Sequence, residues 1–277
     1  MRWLHFILSH SIFIAICALA LCYQTITLLQ IPHNCFVYGL LFFSTLGSYN
    51  FYWLLSRYSF SKQRSPRLFF QQNLTYIILG GVSCIGMLYS LYFLPGMMPY
   101  VLLAVGLTLL YSLPLWPVRW AGRLRKAGVF KTTLLALTWS YVTVVIPAAQ
   151  AVHASSAQLT ALLIARFFFI GMLCAIFDRR DEVIDKIRGL HSLATVAGKR
   201  SLSIIMLFSF LIYMLSGIYV RMHFSNDAQL LAFFITGVVV AFVYKLSLKK
   251  QGYLFYYFVV DGLMLFSAAA TFVASLC

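Results

Sequence analysis

The chain has 277 residues, of which 62% are hydrophobic and 10% charged, and it carries 21 Lys plus Arg against 6 Asp plus Glu for a formal net charge of +15. A soluble domain has about a quarter charged residues, so this composition excludes one and indicates a chain whose solvent is mostly lipid. The basic residues are dispersed over short segments, which argues against a nucleic-acid reader.

Runs of about 20 apolar residues can cross a hydrocarbon core of roughly 30 Å as helices. Nine are expected, at about 6–29, 33–56, 69–94, 97–116, 132–152, 158–177, 201–220, 229–246 and 253–274, in one all-α polytopic domain over 1–277. The first is too long for a signal-peptide core, has no convincing cleavage site and is followed by eight more, so it reads as a retained helix. The second ends in SYNFYWLLSRYS, which places Asn50 near its end and leads into Arg57, Lys62, Arg64 and Arg67. After the fourth comes LYSLPLWPVRWAGRLRKAGVFK, with Tyr111, Arg119, Arg123, Arg125, Lys126 and Lys131. The sixth runs into FDRRDEVIDKIRGLHSLATVAGKR, which holds Asp178, Asp181, Glu182 and Asp185, four of the six carboxylates.

Counting loops alternately puts every Lys and Arg except Arg166 and Arg221 on one face, and cytoplasmic loops carry the positive excess. The N-terminus and the acidic stretch are therefore expected in the cytoplasm and the C-terminus outside, as in a multi-pass protein of a bacterial cytoplasmic membrane. The six cysteines show no CxxC pair and the six histidines no ligand grouping, which leaves them as apolar or interfacial residues.

Asp178, Asp181 and Asp185 are spaced three and then four residues apart, so a helix gathers them within a narrow arc that Glu182 widens. Like charges so placed repel unless something positive joins them. The positive partner is either the neighbouring Arg179, Arg180, Lys186 and Arg188 or a divalent cation. Carboxylate oxygens without Cys or His suit a hard ion, and Mg²⁺ commonly combines one or two carboxylates with water and phosphate oxygens.

This stretch resembles the second aspartate-rich motif of the UbiA superfamily of intramembrane prenyltransferases, where DxxDxxxD ends the sixth helix and a basic residue, a Gly, a Thr and a Gly follow. Lys186, Gly189, Thr195 and Gly198 stand in those places. The nine spans fit that family's helical fold, and the Tyr111-Ser112 pair with its basic loop looks like another of its features. The resemblance implies an isoprenyl diphosphate held by Mg²⁺ on Asp178, Asp181 and Asp185. It implies ionisation to an allylic cation and capture by a lipophilic acceptor, at a mouth formed by loops 57–68, 117–131 and 178–200. Arginines or lysines aimed at the departing diphosphate lower such a barrier, and aromatic faces tolerate the cation.

The family's first motif, NDxxDxxxD, is missing: laid on Asn50, its aspartate positions are Phe51, Leu54 and Tyr58. Fewer metal ions are then expected, one rather than two, with Asn50, Arg57, Arg64, Arg67, Tyr111, Arg123, Lys131 and Lys186 as diphosphate contacts. The same loss leaves open a lipid-binding relative without chemistry, or a terpene cyclase. No protein partner is specified. Two charges fall inside spans, Arg166 and Asp261, at similar depths that would let them pair.

Overall fold

A computed structural model describes residues 2–60, 66–112, 128–151, 155–187, 193–224 and 227–276. Among these residues there are helices and short connections but no strand. That is the expected outcome for backbone in lipid, where each N–H and C=O must find a partner within its own segment. The chain packs as two compact units, Met1–Leu19 with Asn34–Leu124 and Ala20–His33 with Arg125–Cys277.

The first unit holds α1 (Arg2–Ser9), the start of α2 (Ile12–Leu28), α3 (Cys35–Phe60), α4 (Pro66–Gln72), α5 (Leu74–Tyr92) and α6 (Met98–Ser112). The first expected span is a broken one, since α1 and α2 meet at a 70° bend. Ser11 turns the chain there with φ 64, a left-handed conformation rare for a residue with a side chain. The α3–α5 contact depends on small residues. A Cβ on Gly86 would lie 2.5 Å from the Phe43 ring, and one on Gly39 would lie 2.7 Å from Ser90 Oγ. Without a hydrophobic force between helices in lipid, close backbone approach of this kind is what holds them together. The opposite side of α5 exposes Ile78, Ile85, Tyr89 and Tyr92, a stripe suited to lipid.

The second unit holds the rest of α2, α7, α8 (Ser156–Ile187), α9 (Leu193–Phe224), α10 (Asp227–Ser247) and α11. Helix α7 runs from Gly128–Ser140 through a π-helical turn, Tyr141–Val145, into Ile146–Ala148. Pro147 has no N–H for the carbonyl four residues back, and that carbonyl, Thr143 O, accepts instead from Thr25 Oγ1 of α2 at 2.7 Å. Helix α11 likewise starts as a π turn, Phe255–Val260, before Asp261–Ala274. The centre of the unit is α8, whose apolar window is 61% buried against 33–44% for the unit's other spans. Its main partners are α9 and α7.

Six described helices are long and apolar enough to cross a membrane, or seven if α1 and α2 count as one bent span. The chain is thus a multi-pass membrane protein, and the expected nine spans are not reached among the described residues. Helix α6 has 15 residues, and α3, although 26 residues long, is diluted by Ser44, Thr45, Ser48, Asn50, Ser56 and Arg57.

Candidate functional site

The last turns of α8 carry the acidic stretch out of its apolar part. Asp178 Oδ2 accepts from Thr132 Oγ1 at 2.8 Å and from Leu193 N–H at 3.3 Å. Leu193 opens α9, and the first N–H groups of a helix lack intrahelical partners, so a carboxylate there meets both a free donor and the positive end of the helix dipole. A few residues on, Gly198 has φ 71 and ψ 173 and breaks α9. That conformation is essentially reserved for glycine. It lets Leu193–Ala197 turn away from the long run of α9 and present its N-terminus to Asp178. Lys131 and Asp185 are the charged neighbours of Asp178 at this end of the unit.

Asp181 is engaged differently. Arg180 grips both of its oxygens, with Nε at 2.7 Å and Nη2 at 2.8 Å. The same guanidinium lies over three rings, 5.1 Å from the centres of Phe177 and Tyr256 and 5.2 Å from that of Tyr257. The π turn of α11 presents the two tyrosines. Glu182 is buried, at 9% exposure. Helical register puts Asp178, Asp181 and Asp185 towards one side, yet no three His, Cys, Asp or Glu side chains are gathered around one point among the described residues. Asp181 is held by Arg180 instead. What remains is two neighbouring carboxylates, Asp178 and Asp185, beside Lys131. Two carboxylates without Cys or His are the kind of donors that Mg²⁺ takes together with water and phosphate oxygens.

No family model matches the chain, and no curated protein matches it in sequence. Solved structures do. The apo structure of a UbiA homolog from Aeropyrum pernix K1 has a TM-score of 0.66 at 13% identity, over 95% of this chain and 96% of its own. This chain has the UbiA fold. A structure of digeranylgeranylglyceryl phosphate synthase gives a TM-score of 0.58, also at 13% identity, over 100% of this chain and 99% of its own.

Within this UbiA fold, the other expected site residues are spread over both units. Asn50 is fully buried in the first unit, where its Nδ2 donates to Leu46 O at 2.8 Å and His10 O at 3.2 Å. Arg57 donates to Asn73 Oδ1 at 2.9 Å and to Tyr76 OH at 3.1 Å, with its guanidinium 4.6 Å from the Tyr76 ring centre. Arg57 is thus committed to bonds within that unit, whereas Asn50 spends its Nδ2 there and keeps a buried Oδ1 without a partner among the described residues. Tyr111 stacks on Tyr52, with ring centres 5.4 Å apart. Arg67 and Lys186 lie on α4 and α8, but their side chains, like all of Arg64 and Arg123, are outside the described residues.

One expectation is overturned. Arg166 does not pair with Asp261: its Nη2 donates to Leu21 O at 3.4 Å and Thr25 Oγ1 at 3.3 Å, and Nη1 has no partner. The charged neighbour of Asp261 is Arg180. Equal depth in the membrane placed the two charges level, but depth leaves the direction around each helix open. Four side chains at this end of α8 escaped the sequence reading, Thr132, Phe177, Tyr256 and Tyr257. Thr132 carried no signal beyond its place after Lys131, whereas the run Phe177–Arg180 and the Tyr256-Tyr257 pair hinted at a stacked guanidinium.

Proposed function

We propose that the chain is an isoprenoid-diphosphate enzyme of the UbiA type, transferring a prenyl group to a lipophilic acceptor at the charged end of α8. In that reaction the bond from the allylic carbon to the diphosphate oxygen breaks, diphosphate leaves with the electron pair, and the acceptor bonds to that carbon and gives up a proton. The reading is carried by Asp178: a carboxylate fixed by Thr132 and Leu193 N–H, with Asp185 and Lys131 beside it, at the end of the unit's central helix. Fixed charges aimed where charge develops are the largest catalytic effect such a site offers.

Asp178 and Asp185 would hold one Mg²⁺, which when bound draws charge from the departing diphosphate. Asp181 stands apart, tied by Arg180. Lys131 offers an ammonium to the diphosphate at the same end. Thr132 spends its proton on Asp178 and so keeps the carboxylate aimed. The rings of Phe177, Tyr256 and Tyr257 already face a cation, Arg180, and aromatic surface of that kind also tolerates an allylic cation.

Diphosphate release tests the reading. Protein in lipid nanodiscs, given geranyl, farnesyl or geranylgeranyl diphosphate with a mixed lipid extract as acceptor, is expected to release diphosphate only with Mg²⁺, and the Asp178→Asn/Asp185→Asn variant to release none. Saturable binding without release under every condition would sink it. That outcome would favour a lipid-binding protein without chemistry, a second reading supported by Phe51, Leu54 and Tyr58 standing where the family carries aspartates.

A further inference from the structure

Residues 2–11 mix Arg2, His5, Ser9, His10 and Ser11 with Trp3, Leu4, Phe6, Ile7 and Leu8, whereas Ile12–Cys22 behind them is apolar throughout. Coiled as α1, the apolar half divides into two faces. At 100° per residue Phe6, Trp3 and Ile7 occupy one arc of about 100°, and Leu4 and Leu8 the next. Leu8 is buried in the first unit, but Trp3 is 81% and Phe6 41% exposed. The outer arc thus turns a tryptophan and a phenylalanine away from the rest of the described chain.

The backbone fixes the depth of this segment. The 70° bend between α1 and α2 interrupts helical bonding at Ser9–Ser11, and the Ser9 and His10 carbonyls are met by side chains. Tyr76 OH donates to Ser9 O at 3.2 Å and Asn50 Nδ2 to His10 O at 3.2 Å. The first N–H groups of α2 have no intrahelical acceptor. Hydrocarbon supplies none either, so the start of α2 lies where water and headgroups reach. A span tilts about 20° from the bilayer normal on average, and a helix leaving it at a steep angle then runs close to the bilayer plane. The angle is held from the protein side, since the His10 ring stacks on Tyr76 with centres 4.8 Å apart and Ser11 takes φ 64.

We propose that α1 is an interfacial anchor, lying along the bilayer surface on the side of the basic loops with Trp3, Phe6 and Ile7 in the boundary between headgroups and acyl chains. The occupant of that face is lipid. Tryptophan is enriched at this boundary, and Arg2 at the start of the helix suits lipid phosphates. Tyr76 joins the anchor to the α3–α5 corner, because the ring that stacks on His10 also carries the Arg57 guanidinium at 4.6 Å. The anchor is independent of the reaction assigned to α8.

Depth-dependent quenching tests it, with the full-length protein in nanodiscs whose lipids carry a nitroxide either near the carbonyl end or at the methyl end of the acyl chain. The Trp3 signal is the fluorescence lost in Trp3→Phe, a substitution that spares the fold because the side chain is exposed. That signal should be quenched about threefold more by the shallow label than by the terminal one, as expected for an apolar face about 5–10 Å into the boundary. Stronger quenching by the terminal label, or equal quenching by both, would make α1 a continuation of the span and overturn the proposal. Quenching by aqueous iodide with none by either labelled lipid would overturn it too, by placing Trp3 in water.

Discussion

At the scale of single residues, the acidic stretch divides its labour. Asp178 is oriented by two donors, whereas Asp181 is gripped by its neighbour Arg180. The two aspartates should therefore respond differently to the same change. Asp178→Asn keeps the shape and removes the charge, and is expected to lower Mg²⁺-dependent diphosphate release on the order of a hundredfold. Asp181→Asn should lower it by less than about tenfold, acting through the set of Arg180 against its rings. Equal losses would show that Asp181 turns away from Arg180 when substrate arrives. The spacing of the aspartates was plain in the sequence and drew attention to Asp178. It could not show that an adjacent arginine would win one of them, because that choice depends on where Tyr256 and Tyr257 stand. Nor could it show that Arg57 and the Nδ2 of Asn50 would be taken up by Asn73, Tyr76 and His10, residues up to 40 positions away.

At the scale of elements, the helices were legible because hydropathy over 20 residues depends on composition alone, and their breaks were not. The bend at Ser11, the π turn ahead of Pro147 and the π turn at Phe255–Val260 change the backbone over a few residues without changing the apolar composition of their spans. Gly198 was visible as a motif member but without its reason. Its φ of 71 and ψ of 173 supply that reason. Gly198→Ala should destabilise the protein by on the order of 1–3 kcal/mol and displace the Leu193 N–H from Asp178. Diphosphate release should then fall further than stability alone explains. A variant that melts earlier but retains full release once folded would detach this kink from the site.

At the scale of the whole molecule, the asymmetry of basic residues predicts that both the acidic stretch and the N-terminus face the cytoplasm. Single cysteines placed at Ser61 and Ser192 in a background lacking native cysteines should react with membrane-impermeant maleimide only after the cytoplasmic side is opened. A cysteine at Ser225 should react in intact cells. Labelling in the reverse pattern would invert the topology. Sequence bounded this scale best, since lipid imposes the same demand on every span, while the division into two units depended on contacts no local pattern encodes. One of those contacts also concerns synthesis. Gln24 Nε2 donates to Ser267 Oγ and Thr271 Oγ1 at 2.9 and 2.8 Å, across 243 and 247 residues of chain. The amide of α2 therefore enters the bilayer long before its partners leave the ribosome. Until α11 is inserted, that amide must be shielded by lipid headgroups, by water or by the insertion machinery, so the second unit cannot close while it is being translated. Chains stalled before α11 should persist as open, protease-sensitive intermediates, the stage at which membrane quality control has the most to recognise.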